Sequence, residues 1–262
     1  MTLVQNATVL CCLTCVHKMF LHLSLLLLGL AFNHAREPDY LLSQSLQSIV
    51  KVARNLPSPP LELPPNKVRP GGGLDSAKQS CRAASKSLTA LIPVQSPVLT
   101  TTAYPTLLFY VPDTRADIGL GVFSVLTQDE KTHVYETHFI LPQVPGIISF
   151  SLPESSNYAL EEGQPYHWYF KLNCRQTDGQ KWIHVDGWIQ RIASTPESQQ
   201  LIKSAAPDIW YDALANLALD LQSNPGDRKL QEQWSHLLRS IGMENLTSQP
   251  FVGPVWEVKF RL

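Results

Sequence analysis

The densest set of side chains able to do chemistry lies between residues 167 and 188. His167, Tyr169, Lys171 and Asn173 alternate with apolar neighbours, and so do Trp182, His184, Asp186 and Trp188. Two strands joined by a turn around 175–180 would place all eight on one outer face. Tyr169, Trp182 and Trp188, set among His184 and Asp186, then form a flat aromatic platform suited to a sugar ring or a peptide. The competing reading is that the C-terminal helices cover these rings. With Cys174 opposite Lys181, His184 faces Lys171, four residues along from His167. That is ~13 Å at the strand rise, too far for two ligands that must each approach one zinc to ~2 Å, so no metal site is expected. His133 and His138, five apart, point to opposite faces of one strand. GxSxG, HExxH and paired CxxC motifs are absent, so no catalytic residue and no cofactor are expected.

The element that must hold this face is 160–174, LEEGQPYHWYFKLNC. Tyr166, Trp168, Phe170, Leu172 and Cys174 alternate with the polar set, the period-2 pattern of a half-buried strand. A leucine, a glycine three residues on and a tyrosine three further resemble the turn into strand F of immunoglobulin-like and fibronectin type III sandwiches. There the tyrosine hydroxyl bonds back to the turn while its ring stays in the core. Tyr166 has that place. Further β-rich runs are expected at 88–92 with 98–101, 106–111, 118–126, 133–141, 147–152 and 182–192. Prolines 93, 97, 105, 112, 142, 145 and 153 fall between them, as punctuation should. About seven such runs without helical periodicity between them predict an antiparallel sandwich of this type. The 167–173 and 182–188 strands are its F and G.

After Thr195 the period changes to that of helices. Ile209, Trp210, Ala213, Leu214, Leu217, Ala218 and Leu221 share one helix face. Leu230, Trp234, Leu237, Leu238 and Ile241 share another, beyond the turn Asn224-Pro225-Gly226-Asp227. WYDALANLALDLQSNPGD looks like the second helix and turn of a tetratricopeptide repeat. A lone unit cannot bury its own apolar face, so the hairpin must dock on the sandwich. Residues 253–262 alternate again and form a C-terminal tail.

Charge and address narrow the function classes. A formal net charge of -1 implies neither nucleic acid nor an anionic membrane surface as partner. The apolar run 19–32, with His17-Lys18 before it and small residues after it, has the layout of a secretory signal. It is shorter than the ~20 residues a spanning helix needs, so cleavage after Ala31 or Ala35 is expected, with no membrane span remaining. An uncleaved anchor over 3–32 is the minority reading. Removal of residues 1–35 leaves two cysteines, Cys81 and Cys174, an even pair in an oxidising compartment. In the expected sandwich the first strand starts, and strand F ends, at the same pole, which predicts a Cys81–Cys174 disulfide. Residues 36–80 read as a short helix (Leu42, Leu46, Ile49, Val50, Ala53) or tether, then a Pro/Gly-rich linker from Pro57.

LTALIP, LTTAYPTLLFYVP, VPGIISFSLP, GQPYHWYFKLNC, WIHVDGWIQR, IWYDAL and the NPGD turn follow one another in an order that resembles the cyanobacterial family called domain of unknown function 928. The resemblance covers roughly 81–252. Between Thr195 and Ile209 the chain is shorter than the family pattern, which speaks against a first C-terminal helix. The resemblance supports fold and export and implies no activity. The expected layout is a signal peptide (1–35), a tether and linker (36–80), a β-sandwich (81–193), a tetratricopeptide-like helical hairpin packed on it (194–252) and a tail. The expected role is that of an exported, non-enzymatic binding or adaptor protein of the cell envelope, in the periplasm or at the cell surface. Its partner would be another envelope protein or a glycan. The alternative is an accessory carbohydrate-binding or hydrolytic envelope protein using the aromatic face of strands F and G.

Overall fold

The computed structural model describes residues 63–70, 81, 86–175, 181–252 and 255–258. The expected signal peptide and the helix or tether up to residue 56 lie outside the described residues. Nine strands are described: β1 (Thr89–Ala90), β2 (Val98–Thr100), β3 (Thr106–Val111), β4 (Ile118–Thr127), β5 (His133–Ile140), β6 (Gly146–Ser151), β7 (Pro165–Cys174), β8 (Lys181–Arg191) and β9 (Trp256–Glu257). They form two sheets, in the orders β1-β3-β6 and β2-β8-β7-β4-β5-β9. All pairings are antiparallel except β2 with β8, which is parallel. The chain is therefore mainly β, and its sheets are not purely antiparallel as expected. The reason is local: Ile92-Pro93 ends the first strand in one sheet, and the chain crosses over to pair with β8 in the other.

Alternation in β7 sends Trp168, Phe170 and Leu172 inward, each 0% exposed. They meet β3 and β6 of the opposite sheet. Phe109 stacks on Phe170 with centroids 4.3 Å apart and meets Trp168 edge-on at 5.4 Å. Phe123 stacks on Phe150 at 5.2 Å. Aromatic pairs at these separations add roughly 0.5–1.5 kcal/mol each beyond area burial, so this cluster fixes how the two layers sit. Gly187 faces Trp168 across the β7–β8 ladder. A β-carbon there would lie 2.6 Å from Trp168 Cζ2, so the glycine admits the indole, a close approach of the kind that explains glycine within a strand. The Tyr166 ring is buried and its hydroxyl accepts the Glu161 N–H at 3.0 Å, which fixes the entry into β7.

Three helices follow: α1 (Pro196–Lys203), α2 (Trp210–Ser223) and α3 (Arg228–Arg239). The α1 helix corrects the expectation of a two-helix C-terminal segment. Its start is a reciprocal cap, with Ser198 N–H donating to Thr195 Oγ at 3.1 Å and Thr195 N–H to Ser198 Oγ at 2.8 Å. Pro196 sits in the first turn, and Leu201 and Ile202 are buried. That cap outweighs the shortness of the segment. The apolar stripe of α2 packs on β2 and β3. Trp210 Nε1–H donates to the Leu91 carbonyl at 2.7 Å, and Trp168 Nε1–H donates to the Tyr211 hydroxyl at 2.8 Å. Asp212 accepts both the N–H and the hydroxyl of Thr101. The helices and the two sheets thus share one apolar cluster. Among the described residues no helix is long and apolar enough to cross a membrane.

Cys81 and Cys174 are joined by a disulfide, with Cα atoms 5.2 Å apart. Residues 63–70 depart from the linker expected over 36–80. Lys67 exchanges backbone hydrogen bonds with Asp186 of β8 (2.9 and 3.2 Å). Asn66 is 4% exposed; its amide donates to the carbonyls of Pro93 and Gln95, and its carbonyl accepts the Trp188 N–H at 2.7 Å. A buried amide with three partners holds this proline-rich segment to the sheet, because its release would strand polar groups that water cannot reach.

Candidate functional site

The β7–β8 ladder pairs His167 with Trp188, Tyr169 with Asp186, Lys171 with His184 and Asn173 with Trp182. Their side chains share the face turned away from the core. At its centre is His167, whose side chain is 8% exposed. Its ring stacks on Trp188 with centroids 4.2 Å apart and planes 10° from parallel, and Tyr169 flanks it at 4.3 Å.

Both ring nitrogens of His167 meet carboxylates. Nε2 is 3.1 Å from Asp186 Oδ2, and Nδ1 is 2.6 Å from Glu130 Oε1. A ring with an acceptor on each side satisfies both only when both nitrogens carry protons, and charge-assisted bonds of this kind are the strong ones. Glu130 is not on the sheet. It comes from the β4–β5 turn, where Thr127 Oγ–H donates to Asp129 and Glu130 N–H donates to the Thr127 carbonyl at 2.9 Å. Its φ is +55°, a left-handed conformation that costs a side-chain-bearing residue ~1–2 kcal/mol. Glycine would adopt it freely. The glutamate is held there by its contacts: His167 on one side, and the Tyr169 hydroxyl, which donates at 3.3 Å, on the other.

Lys67 and His184 close the far side. Lys67 Nζ lies 2.6 Å from His184 Nε2, while the same nitrogen is 3.7 Å from Asp186 Oδ1. The first is a hydrogen bond and the second is too long to be one. An ammonium can only donate, so His184 accepts at Nε2 and is neutral. Burial, with the charge of Lys67 behind it, lowers the His184 pKa accordingly. Burial, then the Glu130 and Asp186 charges, pushes the Tyr169 phenol up to about 12. Lys171 sits over the Tyr169 ring, its Nζ 4.6 Å from the centroid. The result is a line of paired groups across the face: Lys67, His184, Asp186, His167, Glu130 and Tyr169. Among the described residues no group of three or more His, Cys, Asp or Glu side chains is arranged to hold a metal ion.

Of the five residues expected to bind a ligand, Tyr169, His184, Asp186 and Trp188 are gathered around His167. Trp188 is 5% exposed and one face of its ring is covered by His167, so it supports the histidine rather than offering a platform. Trp182 stands apart at the other end of the ladder and is 43% exposed. The α2 helix is engaged with β2 and β3. The expected register holds, with His184 opposite Lys171, four residues along from His167; Asp186 lies between the two rings, bonded to His167 at 3.1 Å and 3.7 Å from His184. Sequence reasoning missed Glu130, Lys67 and the central place of His167. Only Glu130 had a readable signal, as an acid in a short turn between two strands.

No curated protein and no solved structure matches the chain. A family model does match, over residues 69–251, which takes in every strand from β1 to β8 and all three helices. The chain belongs to the family described as Domain of Unknown Function (DUF928).

Proposed function

We propose that the protein acts outside the cytoplasm as a non-catalytic binding or adaptor module of the cell envelope. The observation that carries the reading is the Cys81–Cys174 disulfide, because such bonds persist in oxidising compartments. The leader-like run over 19–32 agrees with it. The paired network on the β7–β8 face favours binding over catalysis. His167 has both nitrogens engaged and His184 accepts from Lys67, so neither ring is free to move a proton without breaking a bond.

The finer reading of the fold is an immunoglobulin-like sandwich. Support comes from the split first strand: β1 pairs antiparallel with β3, and its continuation β2 pairs parallel with β8. The Tyr166–Glu161 bond in the turn before β7 adds to it. The tetratricopeptide-like reading of α2 and α3 rests on the sequence of the second helix and its turn.

Fractionation of cells expressing the full chain tests the proposal. We expect a mature chain outside the cytoplasm with the 81–174 bond formed. A cytoplasmic chain with two free thiols overturns it. The second reading, an accessory carbohydrate-binding role, is favoured by one observation, the exposed Trp182 beside Asn173. A glycan array answers it: binding lost in Trp182→Ala selects that reading.

A further inference from the structure

The three helices carry a second surface, remote in sequence from the β7–β8 cluster. A groove of about 830 Å³ runs along α3, walled on the other side by the turn after α1 at Ser204 and Ala205. Ligand sites commonly enclose ~300–1,000 Å³, so the groove is large enough to hold a ligand. Its lining is cationic at both ends. Arg228 and Lys229 stand at the start of α3, His236 and Arg239 in its last turn, and Glu232 lies between them. Arg228, Lys229, His236, Arg239 and Glu232 are all exposed. Among the described residues no carboxylate forms an ion pair with any of the four basic side chains, Glu232 included.

We infer that this groove binds an extended peptide segment carrying acidic residues at both ends and an uncharged centre. Arg228 and Arg239 are eleven residues apart, which is ~16 Å along a helix at 1.5 Å per residue. An extended chain covers that span in about five residues at ~3.3 Å each. Acids at its first and last positions meet the two basic ends, and an amide or apolar centre avoids Glu232. A uniformly charged strand, such as nucleic acid or an acidic polysaccharide, is repelled at Glu232 and is disfavoured for that reason. The chain's net charge of -1 likewise gives it no general attraction for polyanions. The inference does not depend on where the protein resides or on what the β7–β8 face binds.

The test is fluorescence anisotropy with the full chain and two labelled peptides of identical composition. One has acids at both ends, and the other has the same acids clustered in the centre. The end-charged peptide is expected to bind at least tenfold more tightly, and raising the salt should weaken it. Arg228→Glu with Arg239→Gln should cost at least tenfold in its affinity, while Glu232→Gln should narrow the gap between the two peptides. Both sets of changes are at exposed positions, and a melting curve checks that each variant folds. Equal affinity for the two peptides overturns the inference, and so does indifference to the arginine changes. Binding of single-stranded DNA or heparin as tightly as the end-charged peptide overturns it as well, in favour of a general polyanion surface.

Discussion

Glu130 is the residue whose replacement tests the site most sharply, because two opposing effects meet there. Its backbone is held at φ +55°, at a cost of about 1 kcal/mol relative to glycine. Its carboxylate accepts a hydrogen bond from His167 Nδ1 at 2.6 Å, and His167 is 8% exposed while Glu130 is 46% exposed. Glu130→Ala keeps the backbone cost and strands a nearly buried donor, for which about 1–3 kcal/mol is usual. Because the carboxylate is nearly half exposed, water can partly replace it, so the lower part of that range, about 1–2 kcal/mol, is expected. Glu130→Gly loses the same bond but releases the backbone, for a net loss of about 0–1 kcal/mol. Glu130→Gln keeps an acceptor in place and loses only the charge, so a loss of under about 1 kcal/mol is expected. Urea unfolding with the disulfide intact measures all three, with equal m-values as the check on two-state behaviour. The informative quantity is the alanine-minus-glycine difference, expected near 1 kcal/mol. If Glu130→Gly were more stable than the parent by that full amount, the His167 bond would contribute nothing and the account of the site would be wrong.

The folded pKa of His184 lies below its ordinary 6.5, through burial and Lys67. The unfolded chain therefore binds the extra proton first, and stability should fall as pH drops below ~6.5. Lys67→Gln should flatten that fall only in part, because burial is the larger cause; no change in slope in a pH series of unfolding midpoints would refute the pairing. Replacing both Cys81 and Cys174 by alanine opens a loop of 93 residues. The chain-entropy model then predicts a loss of about 4–5 kcal/mol, and chemical denaturation showing under 1 kcal/mol would contradict it. Gly187→Ala places a methyl 2.6 Å from Trp168 and 2.8 Å from Ile92 Cδ1. A loss of about 1–3 kcal/mol from overpacking is expected, with a change in tryptophan fluorescence as the Trp168–Tyr211 contact shifts; an unchanged melting curve and spectrum would count against it.

What the sequence determined by itself was local. Alternation through β7 and β8 set which side chains face out, because successive residues of a strand point to opposite sides. The small number of residues between Cys174 and Lys181 then limited the register, and Lys171 pairs with His184. The α2 stripe was legible from its 3.6-residue period, and all of its expected positions are buried. The α1 cap was legible as well, in Thr195-Pro196-Glu197-Ser198, yet the shortness of the segment hid it. What only the tertiary structure decided was which distant segments meet. Glu130 reaches His167 because β4 lies beside β7 in the sheet order, which no period in either strand encodes. Lys67 and Asn66 sit in a proline-rich stretch that reads as linker. Their place on β8 comes from hydrogen bonds to groups 27 to 122 residues away. The direction in which α2 docks is set by partners for Trp210, Tyr211 and Asp212 in the β region, at Leu91, Trp168 and Thr101. Local periodicity is written in neighbouring residues, whereas the meeting of remote polar groups depends on sheet order and on which pairs can satisfy one another once water is gone.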